Sequence, residues 1–229
     1  MFSTLVAYNG QRFFKAPENK QTPWLSWVKK HVYYMWTLIV GSAIVSGICL
    51  LEVIQFKYDT ILLLIFAVAS SIFYVIRIGN RNAREVPYLK IHLIAFTWVF
   101  ILVLFPILNE NIDTPILWIS MAHYFYVVAV TIPFDIRDLK YDDPSHRTIP
   151  QVIGVFWSKI NALILLLLFI GIMFWNYPTL HTNIVFYFAV ITQIILVVMM
   201  NEKRSDFYCA GWIDGAILVL GLSYFYTPF

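Results

Sequence analysis

Residues 131–154 read TIPFDIRDLKYDDPSHRTIPQVIG, a polar stretch set between two apolar runs. The chain therefore leaves a hydrophobic medium here and returns to it. Asp135, Asp138 and Asp142 stand at i, i+3 and i+7, a spacing that puts all three on one face of a helix. Carboxylates at that spacing repel one another unless cations neutralise them. Mg²⁺ suits such an oxygen-only site, because it binds one or two carboxylates and keeps places for waters and substrate phosphate. Arg137, Lys140, His146 and Arg147 lie beside them, suited to pairing with phosphate. Two readings of the spacing stay open: a metal-and-diphosphate site at a membrane surface, or a charged loop that keeps a connection in water.

Composition decides the medium. Of the 229 residues 60% are hydrophobic and 13% charged, against ~25% charged in a soluble domain. With a mean hydropathy of +0.74 the chain reads as a membrane protein. A formal charge of +3, spread over short loops, gives no footing for nucleic acid. The cysteines, Cys49 and Cys209, fall in different apolar segments near opposite faces and have no metal or redox motif around them. No cleavable signal opens the chain, so the first span is expected to direct insertion.

A crossing needs ~20 mainly apolar residues. Seven such segments run from the aspartate stretch outward in both directions: His31–Val53, Thr60–Ile76, Ile91–Leu108, Pro115–Pro133, Trp157–Trp175, Asn183–Met200 and Ala210–Tyr226. The opening MFSTLVAYN is apolar but too short to cross, and reads as the cytoplasmic end of a helix whose outer part is missing. The fold expected is all-α, a polytopic transmembrane helical bundle of about seven full spans plus a partial N-terminal helix, forming one domain over residues 1–229. No internal repeat is visible.

Charge orients the bundle. The loops alternate between basic and nearly cation-free, and Lys57 is the only one of the sixteen basic residues on the second side. By the positive-inside rule the other fifteen mark the cytoplasmic face. The aspartate stretch is then cytoplasmic and the C-terminus outside, as in a bacterial-type inner-membrane protein. Trp24, Trp27, Tyr33, Tyr34 and Trp36 gather at the first cytoplasmic entry, while Trp175, Tyr177, Tyr224 and Tyr226 mark the outer face.

The run D-I-R-D-x-x-x-D from Asp135 to Asp142, followed by Arg147-Thr148 and Gly154, resembles the second aspartate-rich motif of the UbiA-type intramembrane prenyltransferases. It is most similar to the branch that prenylates naphthoate- or homogentisate-like aromatics, and helix order extends the resemblance over most of the chain. The resemblance implies Mg²⁺ as cofactor, a polyprenyl diphosphate donor and an aromatic or other lipophilic acceptor. It implies Asp138 and Asp142 as the metal-facing, catalytic pair, Asp135 as a further metal ligand, and Arg147 near the phosphates.

The family's first motif, N-D-x-x-D-x-x-x-D, is matched in place by residues 8–15, where Asn9 stands for the Asn. Arg12 and Lys15 occupy the ground of the aspartates. Either these cations contact diphosphate directly, Arg being able to fork onto phosphate, or they are positive-inside anchors. Arg77, Arg81 and Arg84 form the densest basic connection, open to the same two readings, phosphate or topology and anionic lipid. Asp214 lies inside the last apolar segment, where a carboxylate is costly unless it faces a polar cavity, water or a partner, or is protonated.

Two function classes result. One is a prenyltransferase in which Mg²⁺ stabilises the leaving diphosphate and apolar walls shield the allylic cation from water. The other keeps the scaffold without chemistry and binds an isoprenoid or a protein partner. The missing first motif favours the second class, and the intact second motif favours the first.

Overall fold

The computed structural model describes residues 23–55, 57–75, 77–78, 81–82, 86, 88–142, 144 and 147–226, together with residues 6 and 10. The opening segment with Asn9, Arg12 and Lys15 lies outside the described residues. Apart from a two-residue antiparallel ladder between Arg77–Ile78 and Arg81–Asn82, the regular structure is helical. We number the helices α1 (Pro23–Lys30), α2 (Val32–Val53), α3 (Tyr58–Val75), α4 (Leu89–Glu110), α5 (Ile116–Asp138), α6 (Ile149–Asn176), α7 (Ile184–Met199) and α8 (Tyr208–Ser223).

Each of the seven apolar segments is a helix. Four of them, α2, α4, α5 and α6, are long and apolar enough to cross a membrane. The remaining three are shorter: 18 residues in α3 and 16 each in α7 and α8. At ~1.5 Å per residue, 16 residues reach only ~24 Å, somewhat under a ~30 Å hydrocarbon core. The shortening is local. Met200 and Asn183 leave the helical region at the two ends of α7, and Asn183 Oδ1 caps it by accepting from Phe186 N–H at 2.9 Å.

Helix α5 is the hub. It packs on α4 on one side and α6 on the other, with α7 and α8 closing over them. Its apolar window is 56% buried, against 6% for α2. Phe169, Phe186, Ile132, Ile136, Leu166 and Met173 are fully enclosed and form the centre of the core. The outer faces carry exposed Ile44, Phe66, Leu117, Leu167, Phe188 and Leu218, a surface suited to lipid and not to water.

Two helices change pitch for identifiable reasons. Pro106 lacks an N–H and would collide with the Leu102 carbonyl, and the preceding Phe100–Leu104 widens to a π-turn in which Phe105 N–H reaches Phe100 O. In α6, Gly154 takes φ +78° and ψ 165°, breaking the first turn from the long helix that follows. That backbone region is essentially open only to glycine.

Polar contacts between elements sort into two ends. At one end Lys90 meets Asp135 and Asp142, Arg137 meets Asp206, and Lys159 Nζ donates to Val198 O at 2.7 Å and Met200 O at 3.2 Å. At the other, Thr114 bonds Tyr177, and Asn183 Nδ2 donates to Ser223 O at 2.8 Å. There also the buried Asn109 fastens the end of α2, accepting from Gln55 N–H at 3.0 Å and donating to Val53 O at 3.1 Å. Successive apolar helices therefore run in alternating directions, as the alternation of basic loops predicts. Lys57, the only Lys or Arg at the second end among the described residues, donates to Leu108 O at 3.2 Å and Asn109 O at 2.5 Å. It thereby caps the carbonyls at the end of α4, where a positive charge suits the helix dipole.

Candidate functional site

The aspartates sit where α5 meets the loop to α6. Helix α5 ends at Asp138, so Asp135 and Asp138 are helical and Asp142 arrives one turn later through an Asp142 N–H to Asp138 O bond of 2.8 Å. The single helical face expected across all three therefore stops short of the third.

Their partners are cations of the chain itself. Lys90 Nζ lies 2.5 Å from Asp135 Oδ1 and 3.7 Å from Asp142 Oδ2, with side-chain exposures of 13%, 3% and 5%. Arg137 takes both oxygens of Asp138, at 2.8 Å from Nε and 3.1 Å from Nη2. Arg137 also reaches exposed Asp206 at 3.6 Å and stacks over Phe134 at 5.3 Å. Lys90 and Arg137 between them thus meet four carboxylates, those of Asp135, Asp142, Asp138 and Asp206. The carboxylates of Asp138 and Asp142 both bear electrostatically on Asp135, so the three form one cluster although they pair with different cations.

Local structure explains why Lys90 is here. Tyr88 opens α4 from the left-handed region at φ 63°, a placement that costs a non-glycine residue ~1–3 kcal/mol. Lys90 then falls in the first turn of α4, where the helix dipole disfavours a positive charge. The carboxylates of Asp135 and Asp142, brought to the same helix end by the antiparallel packing of α4 on α5, reverse that sign.

The donor set has the right chemistry for Mg²⁺, since all the oxygens are carboxylate. The arrangement does not fit it. Asp135 and Asp142 converge on an ammonium and Asp138 is turned onto a guanidinium. Among the described residues, no three His, Cys, Asp or Glu side chains gather as a ligand set.

Of the other expected residues, Arg147 and Asp214 are described, and neither is ion-paired to the three aspartates among the described residues. Arg147 is exposed, with φ 45°, its N–H bonding Pro144 O at 3.5 Å. Asp214 follows the π-turn Tyr208–Ile213 and stands on an exposed flank of α8, within electrostatic reach of Arg137 and Tyr126. Asn9, Arg12, Arg84 and His146 lie outside the described residues, as does the side chain of Arg81.

Three residues gained weight only in the structure. Lys90 counts in the sequence as one more topological cation, and its significance depends on α4 and α5 being neighbours. Gln193 is fully enclosed in α7 with neither amide atom hydrogen-bonded among the described residues. The Tyr126 hydroxyl, deep in α5, is likewise enclosed and unbonded. A glutamine in the run VITQIIL, apolar but for it and Thr192, is a sequence signal that points to the first of these two.

The chain matches no protein-family model, no curated protein and no solved structure. The likeness to the prenyltransferases therefore rests on the residues of the motif and on helix order.

Proposed function

We propose that the chain is a seven-span membrane protein of the UbiA type. Its aspartate mouth faces the cytoplasm and holds the diphosphate of a prenyl donor for transfer to a lipophilic acceptor. One observation carries the reading: the three aspartates of the D-I-R-D-x-x-x-D run are clustered with Lys90 and Arg137 at one mouth of an apolar bundle. Charged heads are held there while span-length apolar helices lie beside them for an isoprenoid tail. The fifteen-to-one division of basic residues supports the orientation, and hence a bacterial-type inner membrane with the C-terminus outside. Three helices below full span length are accommodated by local thinning of the bilayer, at a small cost per Å of mismatch.

In this reading Arg137 and Lys90 bind the phosphate oxygens as their carboxylate partners exchange, and the bundle excludes water from the allylic carbon. The Mg²⁺ that the resemblance implies finds no place until Lys90 gives way. A second reading is favoured by that same bridge. A mouth closed by internal ion pairs suits a non-catalytic binder of an isoprenoid or of a protein partner.

Purified protein in nanodiscs, incubated with a radiolabelled prenyl diphosphate with and without Mg²⁺, distinguishes the two. Retention of label that drops on Lys90→Met and Arg137→Ala, followed by slow transfer to an aromatic acceptor that Asp138→Ala and Asp142→Ala abolish, is the expected result. Retention without any transfer selects the binder. Brisk transfer that survives both aspartate substitutions removes the aspartates from the site.

A further inference from the structure

We propose that Lys90 is the resident cation of the aspartate mouth, its ammonium holding the position between Asp135 and Asp142 that a divalent ion would otherwise take. The described lysines divide by what they touch. Lys29, Lys30, Lys140 and Lys203 are exposed, as anchors in a head-group layer should be. Lys57 and Lys159 turn inward onto backbone carbonyls at helix ends. Lys90 alone among them turns inward onto carboxylates, one at 2.5 Å and a second at 3.7 Å.

A monovalent internal cation between two enclosed carboxylates does the neutralising work of a metal without leaving a coordination place. Mg²⁺ entering beside it would meet a like charge at contact distance, in a setting too enclosed for solvent to screen the repulsion. The pair is therefore closed to metal as long as Lys90 is present, and removing Lys90 takes away the charge that excludes it. On the proposed reading, Lys90 is also the group that moves onto the incoming phosphate. The metal statement stands on geometry alone and needs no prenyl donor to test it.

Mn²⁺ serves as the probe, followed by its paramagnetic resonance signal with the full chain in zwitterionic nanodiscs and no prenyl diphosphate present. The wild-type chain is expected to take up no Mn²⁺ that Asp135→Asn abolishes. Lys90→Met should gain Mn²⁺ affinity by about tenfold or more, the scale at which neighbours of metal ligands act. The gain should vanish in Lys90→Met/Asp135→Asn and be absent in Lys90→Arg. Wild-type uptake of Mn²⁺ that Asp135→Asn abolishes would overturn the proposal. So would a folded Lys90→Met that gains none. If Lys90→Met does not fold, Lys90→Gln, which keeps a polar head at the same place, is read by the same criterion. Because the donor is absent from this measurement, a failure of prenyl diphosphate binding leaves its outcome unaffected.

Discussion

At the scale of single residues, the aspartate mouth is governed by which cation each carboxylate meets. Removing one member of an enclosed ion pair leaves an uncompensated charge, which costs ~3–5 kcal/mol. Lys90→Met should lower stability by about that amount at neutral pH, because it takes from the enclosed Asp135 the cation that lies 2.5 Å from it. Adding Asp135→Asn should recover most of the loss. Thermal unfolding in detergent of the two single variants and the double variant checks this. Additive losses would mean that Lys90 and Asp135 are not coupled. The carboxylates were legible in the sequence from their spacing, and so was the need to neutralise them. The identity of the neutraliser was not, since nothing in the run Tyr88-Leu89-Lys90 distinguishes an inward lysine from an anchoring one. That distinction depends on two antiparallel helices being neighbours, a relation that a single sequence does not carry.

At the scale of elements, hydropathy located all seven apolar helices because each is defined by a long run of one kind of residue. It missed their ends, some of which are set by single residues acting on the backbone: Tyr88 in the left-handed region and the Asn183 cap. It also missed the internal break in α6. The space around Gly154 is open, so a methyl group there meets no neighbour and the cost of adding one is purely backbone. Gly154→Ala should therefore destabilise by about 1–3 kcal/mol. Gly171, in the regular part of the same helix and equally open, should behave in the opposite way, with Gly171→Ala gaining ~0.5–1 kcal/mol. Denaturant titrations of the two variants side by side decide the matter. A Gly154→Ala as stable as the parent would mean that α6 runs straight.

At the scale of the whole molecule, direction of travel is the property most readable from the sequence. Every polar contact named between neighbouring helices joins ends that the loop charges had already placed together. Single cysteines at Glu202 and at Asp113, introduced after Cys49→Ser and Cys209→Ala, should react with an impermeant maleimide from opposite faces of sealed vesicles. Both are exposed in loops at opposite ends of the bundle. Labelling from one face alone would break the alternation and with it the seven-span reading.

Helix α2 marks the limit of this legibility. It encloses only Met35 and Ser42 along its length and is latched to the bundle at its far end through Asn109. On the seven-span reading, the rest of its sequence answers to the bilayer and not to the protein. A core helix such as α5 specifies positions, so that a methyl group misplaced at Ala129 has nowhere to go. Helix α2 specifies little more than a composition and a length. Most apolar spellings of its exposed face carry the same meaning, and variation can accumulate there while the mouth, a few helices away, admits almost none.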